Sequence, residues 1–344
     1  MREDWPVDVS LQEKVQALHE PRAYDHPVGE LTAIETHFAW VFLTDSLVYK
    51  LKKPVHSAML DLGTLDARLR NCREELRLNR RLAVNVYLDV VALVRTADGS
   101  LRLGASGEPV EWLVKMRRLP EERMLDRAMA EGGVDPADIE RVGRLLADFY
   151  HAQPPVDFRP AAYAERLLDQ VHVNRRELLA EDLGLSPAPV EELAKAQRAA
   201  ARALIEPLAE RARRRRIVEA HGDLRPEHVF LGSPPCVIDC LEFSRDLRLL
   251  DPCEEIAYLT CECDLRGFDW IGPTLLGSYL ARTDDAIPTR LFDFYCSHRA
   301  TVRAKIVAWH IRDRSYRDHE PWAERATKYL RYAQERLTGS CVLG

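Results

Sequence analysis

The segment His221-Gly222-Asp223-Leu224-Arg225-Pro226-Glu227-His228 constrains this chain more than any other. Ile217 and Val218 lead into it as a short strand, and Val229-Phe230-Leu231 lead out as another. A third apolar strand, Val237-Ile238-Asp239, follows and ends in a second carboxylate sixteen residues after Asp223. Two aspartates delivered by strand ends have two readings. They cap a buried hairpin, or they are chemical groups held on rigid supports.

The spacing favours the second reading. His-x-Asp, four spacers and a terminal ligand is a catalytic-loop pattern of phosphoryl transfer, with Asn at the last position. Here that position holds His228. Phosphoryl transfer needs little covalent help. It needs an oriented acceptor hydroxyl and cations that neutralise the phosphate oxygens. Asp223 is the candidate base for the hydroxyl proton. Asp239 is the candidate ligand for magnesium, which prefers hard oxygens and takes few protein carboxylates.

His-Gly-Asp-Leu-x-Pro, then Ile238-Asp239-x-x-Glu242 and Asp251-Pro252, resembles the aminoglycoside phosphotransferase family rather than the protein kinases. Glu35-Thr36-His37, Val48 to Pro54, Glu75 to Leu82 and Arg299-Ala300-x-x-Arg303-Ala304-Lys305 resemble a bacterial branch of it, often fused to a P-loop ATP-binding domain. The resemblance runs from about Glu30 to about His310. No Gly precedes a Lys, so the sequence contains no Walker A loop. A separate P-loop ATPase is therefore a candidate partner.

The resemblance implies an α+β, two-lobed, protein-kinase-like fold, with a small antiparallel-sheet N-lobe over 1–118 and a larger helical C-lobe over 119–344. It implies ATP as donor and a small-molecule hydroxyl as acceptor. It also makes Met116 and Arg117-Arg118-Leu119-Pro120 the hinge whose backbone binds adenine. The residues alone equally describe an ordinary strand end, because Pro120 forbids a further ladder bond. By the same resemblance Asp251 supports the catalytic loop, His221 braces it, and Glu242 shapes the metal loop.

Lys50 is the candidate phosphate-gripping lysine. It shares one strand face with Lys52, the fallback, while Lys53 takes the other. A solvent-exposed basic edge strand would look the same. Glu75 is the candidate partner that orients Lys50, with Glu74 the alternative. The loop Glu35 to Trp40 contains no glycine, so the Thr36 hydroxyl or the His37 imidazole is a candidate phosphate contact. Phe38 and Trp40 read as packing residues. At His228 an imidazole is a softer ligand than Asn. Either His228 completes the metal site and favours manganese, or Asp239 holds the metal alone, or the chain binds nucleotide as a pseudokinase without transferring phosphate.

Arg299 and Arg303 sit one helical turn apart, after a charged turn with Asp264, Arg266 and Asp269. They are candidate contacts for an acceptor bearing carboxylate or phosphate, or an ion-paired helix face with local acids. No acidic cluster accompanies them, so polycationic aminoglycosides are not the expected acceptor. A protein acceptor is disfavoured by the lack of an Ala-Pro-Glu activation segment.

Composition narrows the rest. A 344-residue chain with 46% hydrophobic residues builds a real core. A net charge of −6 gives no electrostatic case for nucleic acid. The start, Met-Arg-Glu-Asp-Trp-Pro, lacks a signal-peptide layout and no run spans a membrane, so a cytoplasmic location is expected. Eight cysteines lack paired Cys-x-x-Cys knuckles and read as reduced core residues rather than a zinc site. Arg211 to Arg216 read as a solvated helix end. Ser10 to Glu13 form a capping box, Asp135-Pro136 start a helix, and 161–216 is helical with a break near Gly184 and Pro187.

Overall fold

A computed structural model describes residues 9–56, 60–313 and 320–339. The first six residues and Cys341, both used above, lie outside the described residues. The chain resolves into two compact units. One comprises Met1–Arg123 with Cys236–Arg245, and the other Met124–Pro235 with Asp246–Gly344. The sequence boundary at 118 falls just before Arg123. The segment carrying Asp239 belongs to the first unit, although 112 residues separate it from that unit's main stretch.

The first unit opens with α1 (Leu11–Leu18). The Ser10 hydroxyl accepts from the Glu13 N–H at 3.2 Å, and the Glu13 carboxylate accepts from the Ser10 N–H at 2.8 Å, completing the capping box. Six antiparallel strands follow: β1 (Thr32–Glu35), β2 (Ala39–Leu43), β3 (Leu47–Lys52), β4 (Tyr87–Arg95), β5 (Leu101–Leu103) and β6 (Glu108–Arg117). Their order is β1-β2-β3-β6-β4-β5. Phe42, Tyr49, Leu51, Leu93 and Leu113 form the core of one face with Leu18 and Ala23.

Helix α2 (Leu65–Asn79) packs on β6 and β4. It is capped by Thr64, whose hydroxyl accepts from the Ala67 N–H at 3.1 Å. Glu111 on β6, only 1% exposed, accepts from Lys14 at 3.0 Å and from Arg68 Nε at 2.8 Å. That buried triad ties α1 and α2 to the sheet.

The second unit is helical: α3 (Leu125–Ala130), α4 (Pro136–Ala152), α5 (Pro160–Leu178), α6 (Pro187–Ala203), α7 (Ile205–Arg213), α9 (Pro252–Asp264), α10 (Ile271–Arg282), α11 (Thr289–Trp309) and α12 (Trp322–Gly339), with a single turn α8 (Arg245–Arg248) before α9. Pro136, Pro160, Pro187 and Pro252 each stand at a helix start, where a missing N–H costs nothing. Asp135 accepts from the Ala137 N–H at 2.8 Å, and Gly184 adopts φ +62° at the expected break. Short strands β7 (Val218–Glu219) and β10 (Leu249–Leu250) pair antiparallel, and β8 (Val229–Phe230) follows the Asp223 loop, while β9 (Cys236–Val237) opens the 236–245 segment of the first unit.

The arginine run is corrected by the structure. Arg211 is buried, not solvated. It donates to both oxygens of Asp251, at 2.6 and 2.8 Å, and to Asp285 at 2.5 Å. Arg213, Arg214 and Arg215 are exposed, as the solvated reading requires. The seven described cysteines are buried and form no disulfide with one another, and burial pushes the Cys72 and Cys236 thiols up to about 12. No helix among the described residues is long and apolar enough to cross a membrane.

Candidate active-site residues

In the first unit, strand alternation puts Lys50 and Lys52 on the same face of β3. Both reach Glu75, which is fully buried on α2. Lys50 Nζ lies 2.9 Å from Glu75 Oε1, and Lys52 contacts Oε2. Each lysine also holds a carboxylate of the 236–245 segment. Lys50 donates to Asp239 Oδ1 at 2.7 Å, and Lys52 to Glu242 Oε1 at 2.5 Å. Five side chains thus alternate in charge, Asp239–Lys50–Glu75–Lys52–Glu242. The alternative Glu74 instead pairs with exposed Arg77.

Burial alone would lower the Lys50 ammonium below its ordinary value. Asp239 and Glu75 more than offset it and hold the ammonium well above its ordinary value. Burial likewise raises Glu75, but Lys50 and Lys52 pull it below the usual carboxylate range. The backbone at Asp239 is held as tightly as its side chain. Its N–H donates to Tyr87 Oη at 3.1 Å, and the next N–H, of Cys240, donates to Asn79 Oδ1 at 2.8 Å. Asp239 itself sits at φ +59°, a left-handed conformation costly for a residue with a side chain. Its carboxylate remains 44% exposed, which suits a hard-oxygen metal ligand.

Thr36 spends its hydroxyl locally. It donates to the Ala39 carbonyl at 2.9 Å and accepts from the Ala39 N–H at 3.0 Å, closing the β1–β2 turn. Phe38, read as a packing residue, is 42% exposed, its ring tilted towards Phe243. Met116 pairs with Val48 in the β3–β6 ladder. Arg118 donates from its backbone to the Ser46 carbonyl and from its guanidinium to the Thr44 carbonyl at 3.0 Å. It lines an open cleft of about 420 Å³ with Asp45 and Leu119 to Glu122.

In the second unit, Asp223 lies in a loop that begins at the end of β7. Its carboxylate accepts from Tyr258 Oη at 3.1 Å and forms an ion pair with Arg225, Nη2 lying 3.0 Å from Oδ2. Burial raises Asp223, yet Arg225, with Arg303 and the other neighbouring groups, holds it below its ordinary value. His228 Nδ1 faces the Asp223 carbonyl at 2.7 Å, and Nε2 faces Arg225 Nη2 at 3.2 Å. Asp239 and His228 fall in different units. No group of three or more metal-capable side chains stands together among the described residues.

Glu255 of α9 braces the loop and carried no signal in the sequence. Its carboxylate accepts from the N–H of His221 at 3.1 Å, from that of Gly222 at 2.5 Å, and from Tyr150 Oη at 2.8 Å. Gly222 needs its glycine, because φ there is +89°. Burial raises Glu255 above its ordinary value. Glu255→Ala orphans three buried donors at roughly 1–3 kcal/mol each. We expect the melting temperature to fall by several degrees in scanning calorimetry. An unchanged melting curve would show that the brace is dispensable.

Asp251 caps α9 by accepting from the Cys253 N–H at 2.9 Å, and it binds Arg211 and Tyr295 rather than the 221–228 loop. Arg299 and Arg303 are 8% and 6% exposed. Arg299 Nε lies 3.0 Å from Glu254, and Arg303 Nε donates to Glu262 at 2.8 Å. This is the ion-paired face that the sequence also allowed. Asp264 accepts from Tyr332 Oη at 2.7 Å, and burial raises it.

The chain is similar to several known proteins. Uncharacterised proteins of Mycobacterium bovis and Mycobacterium tuberculosis are 30% identical over 294 residues, covering 82% of this chain. The chain spans 56% of their length, about half. A choline/ethanolamine kinase family protein from Mesorhizobium loti superposes with a TM-score of 0.53 at 14% identity, covering 94% of this chain and 99% of that one. A thermostable mutant of aminoglycoside phosphotransferase APH(4)-Ia gives 0.52 at 11% identity, covering 91% and 96%. These likenesses show the kinase-like α+β fold, an antiparallel-sheet unit with a helical one. The model of the phosphotransferase enzyme family, APH, matches residues 45–295, and the chain belongs to that family.

Proposed function

We propose that the chain moves the γ-phosphoryl group of ATP, with magnesium, to a hydroxyl of a small molecule. The alternating Asp239–Lys50–Glu75–Lys52–Glu242 cluster carries this reading. A surface lysine needs no buried glutamate. Here a buried carboxylate fixes two ammoniums, and one of them touches the exposed Asp239.

In this mechanism Lys50 grips the phosphates and Glu75 keeps it aimed. Asp239 would hold the magnesium, which would supply positive charge against the phosphate oxygens. Met116 and Arg118 lie on the segment that receives the adenine, with Thr36 near the phosphates. Asp223 accepts a hydrogen bond from the acceptor hydroxyl and takes its proton. The hydroxyl oxygen bonds to the γ-phosphorus as the bond to the bridging oxygen breaks, releasing ADP. Because its neighbours, Arg225 foremost, hold Asp223 below its ordinary value, the base is ionised at neutral pH.

The acceptor follows from what surrounds Asp223. Arg299 and Arg303 are already neutralised by Glu254 and Glu262, so a strongly anionic acceptor gains little from them. The choline/ethanolamine kinase relation in fold makes small amino-alcohols reasonable first members of an acceptor screen.

ATP with magnesium should raise the melting temperature in proportion to the logarithm of ligand concentration. A metabolite panel scored by mass for a phosphate adduct should then identify the acceptor. No thermal shift with ATP, with or without magnesium or manganese, would sink the proposal.

A further inference from the structure

We infer that His228 is not a metal ligand but a positioning residue, and that the Arg225 guanidinium supplies the positive charge on the Asp223 loop, so that the enzyme works with a single metal ion. The inference rests on the phosphotransferase reading above and concerns the residue at which the loop departs from the usual Asn.

Hydrogen-bond roles fix the state of the imidazole. Nδ1 lies 2.7 Å from the Asp223 carbonyl oxygen, which can only accept. Nδ1 therefore carries the proton. Nε2 lies 3.2 Å from Arg225 Nη2, and a guanidinium can only donate. Nε2 therefore presents its lone pair to the guanidinium. That lone pair is the one group on His228 that could ligate a metal, and it already faces a cation. The ring is 6% exposed, so it cannot swing to another partner without opening the loop.

Arg225 has the reach for the second task. One nitrogen touches both Asp223 Oδ2, at 3.0 Å, and His228, while the other donates to Glu227 Oε1 at 2.5 Å. A metal on Nε2 would have to displace this guanidinium and strip Asp223 of its cation. Two like charges at that spacing repel strongly in a partly buried loop. An Asn would leave an oxygen for a second magnesium. The His–Arg pair replaces that ion with a fixed covalent charge.

Manganese binding to the full chain tests this directly. The chain is saturated with a non-hydrolysable ATP analogue, and bound Mn²⁺ is counted from the loss of the free-ion electron paramagnetic resonance signal, against nucleotide alone. One Mn²⁺ per chain is expected in the wild type, in His228→Ala and in His228→Gln. Turnover of His228→Ala should fall at least about tenfold, as for lost orienting partners. The KM for ATP should stay within twofold, and Gln, which keeps a donor, should recover part of the turnover. Two Mn²⁺ per wild-type chain would overturn the inference while leaving the phosphotransferase reading intact. This count needs no variant to fold. Failure of the chain to bind any Mn²⁺–nucleotide would overturn both.

Discussion

Asp223→Asn should lower turnover about 10²–10⁴-fold, the usual contribution of a positioned general base, while the thermal shift with ATP and magnesium stays within a degree or so of wild type. Asn preserves the volume and an acceptor oxygen for Arg225 and Tyr258, so the loop keeps its shape. It cannot take a proton. Transfer that survives the change would remove Asp223 from the base role. The pH dependence adds an independent check. Burial pushes Asp223 up, and Arg225 together with Arg303 and the other neighbouring groups pulls it down by more, so the net shift is downward. Its ionised form then persists below the ordinary aspartate value of about 3.9. The profile of kcat/KM should lack an acid limb from this group between neutrality and about pH 5. Arg225→Met leaves the upward push of burial unopposed by its nearest cation and should move that limb to higher pH.

Local chemistry made much of this molecule readable before any coordinates. The capping box at Ser10, the helix start at Asp135-Pro136 and the helix break near Gly184 depend on neighbours a few residues away, and all form. Strand alternation alone put Lys50 and Lys52 on one face. What the sequence could not show was where buried charges find partners. Helix α9 is buried on nearly every side over Pro252–Cys263, so it has no polar stripe to reveal its orientation. Glu254, Glu255 and Glu262 look like surface acids in such a helix. Only the packing of α11 and the 221–228 loop turns them into the partners of Arg299, of two backbone N–H groups and of Arg303. Arg211 misleads for the same reason. A run of arginines resembles a solvated end, but its first member points inward to Asp251 and Asp285 across long sequence separations. The Lys52–Glu242 pair was also out of reach, because it depends on the 236–245 segment joining the first unit.

That cluster carries the second large effect. Glu75→Gln should destabilise the fold by roughly 3–5 kcal/mol, the cost of breaking a buried ion pair by removing one partner. The reason lies in the sharing. One carboxylate serves two ammoniums, the Lys52 side chain being 2% exposed and that of Lys50 16%. Its neutralisation leaves them adjacent with Asp239 and Glu242 alone to oppose their repulsion. Glu75 has its folded value lowered, because Lys50 and Lys52 outweigh burial. Its contribution is therefore present above the unfolded value of about 4.3 and disappears as pH falls through the lower folded value. Urea midpoints of wild type and Glu75→Gln should differ most near neutrality and converge in acid. A gap that ignores pH would mean that packing rather than charge holds Glu75 in place. Adding Lys52→Met to Glu75→Gln separates stability from aim. The double variant removes the orphaned, most deeply buried ammonium and should recover part of the lost stability. It should not recover turnover, since Lys50 would still lack the carboxylate that orients it. Recovery of both together would reduce Glu75 to a structural counter-charge and shift the orienting role to Asp239.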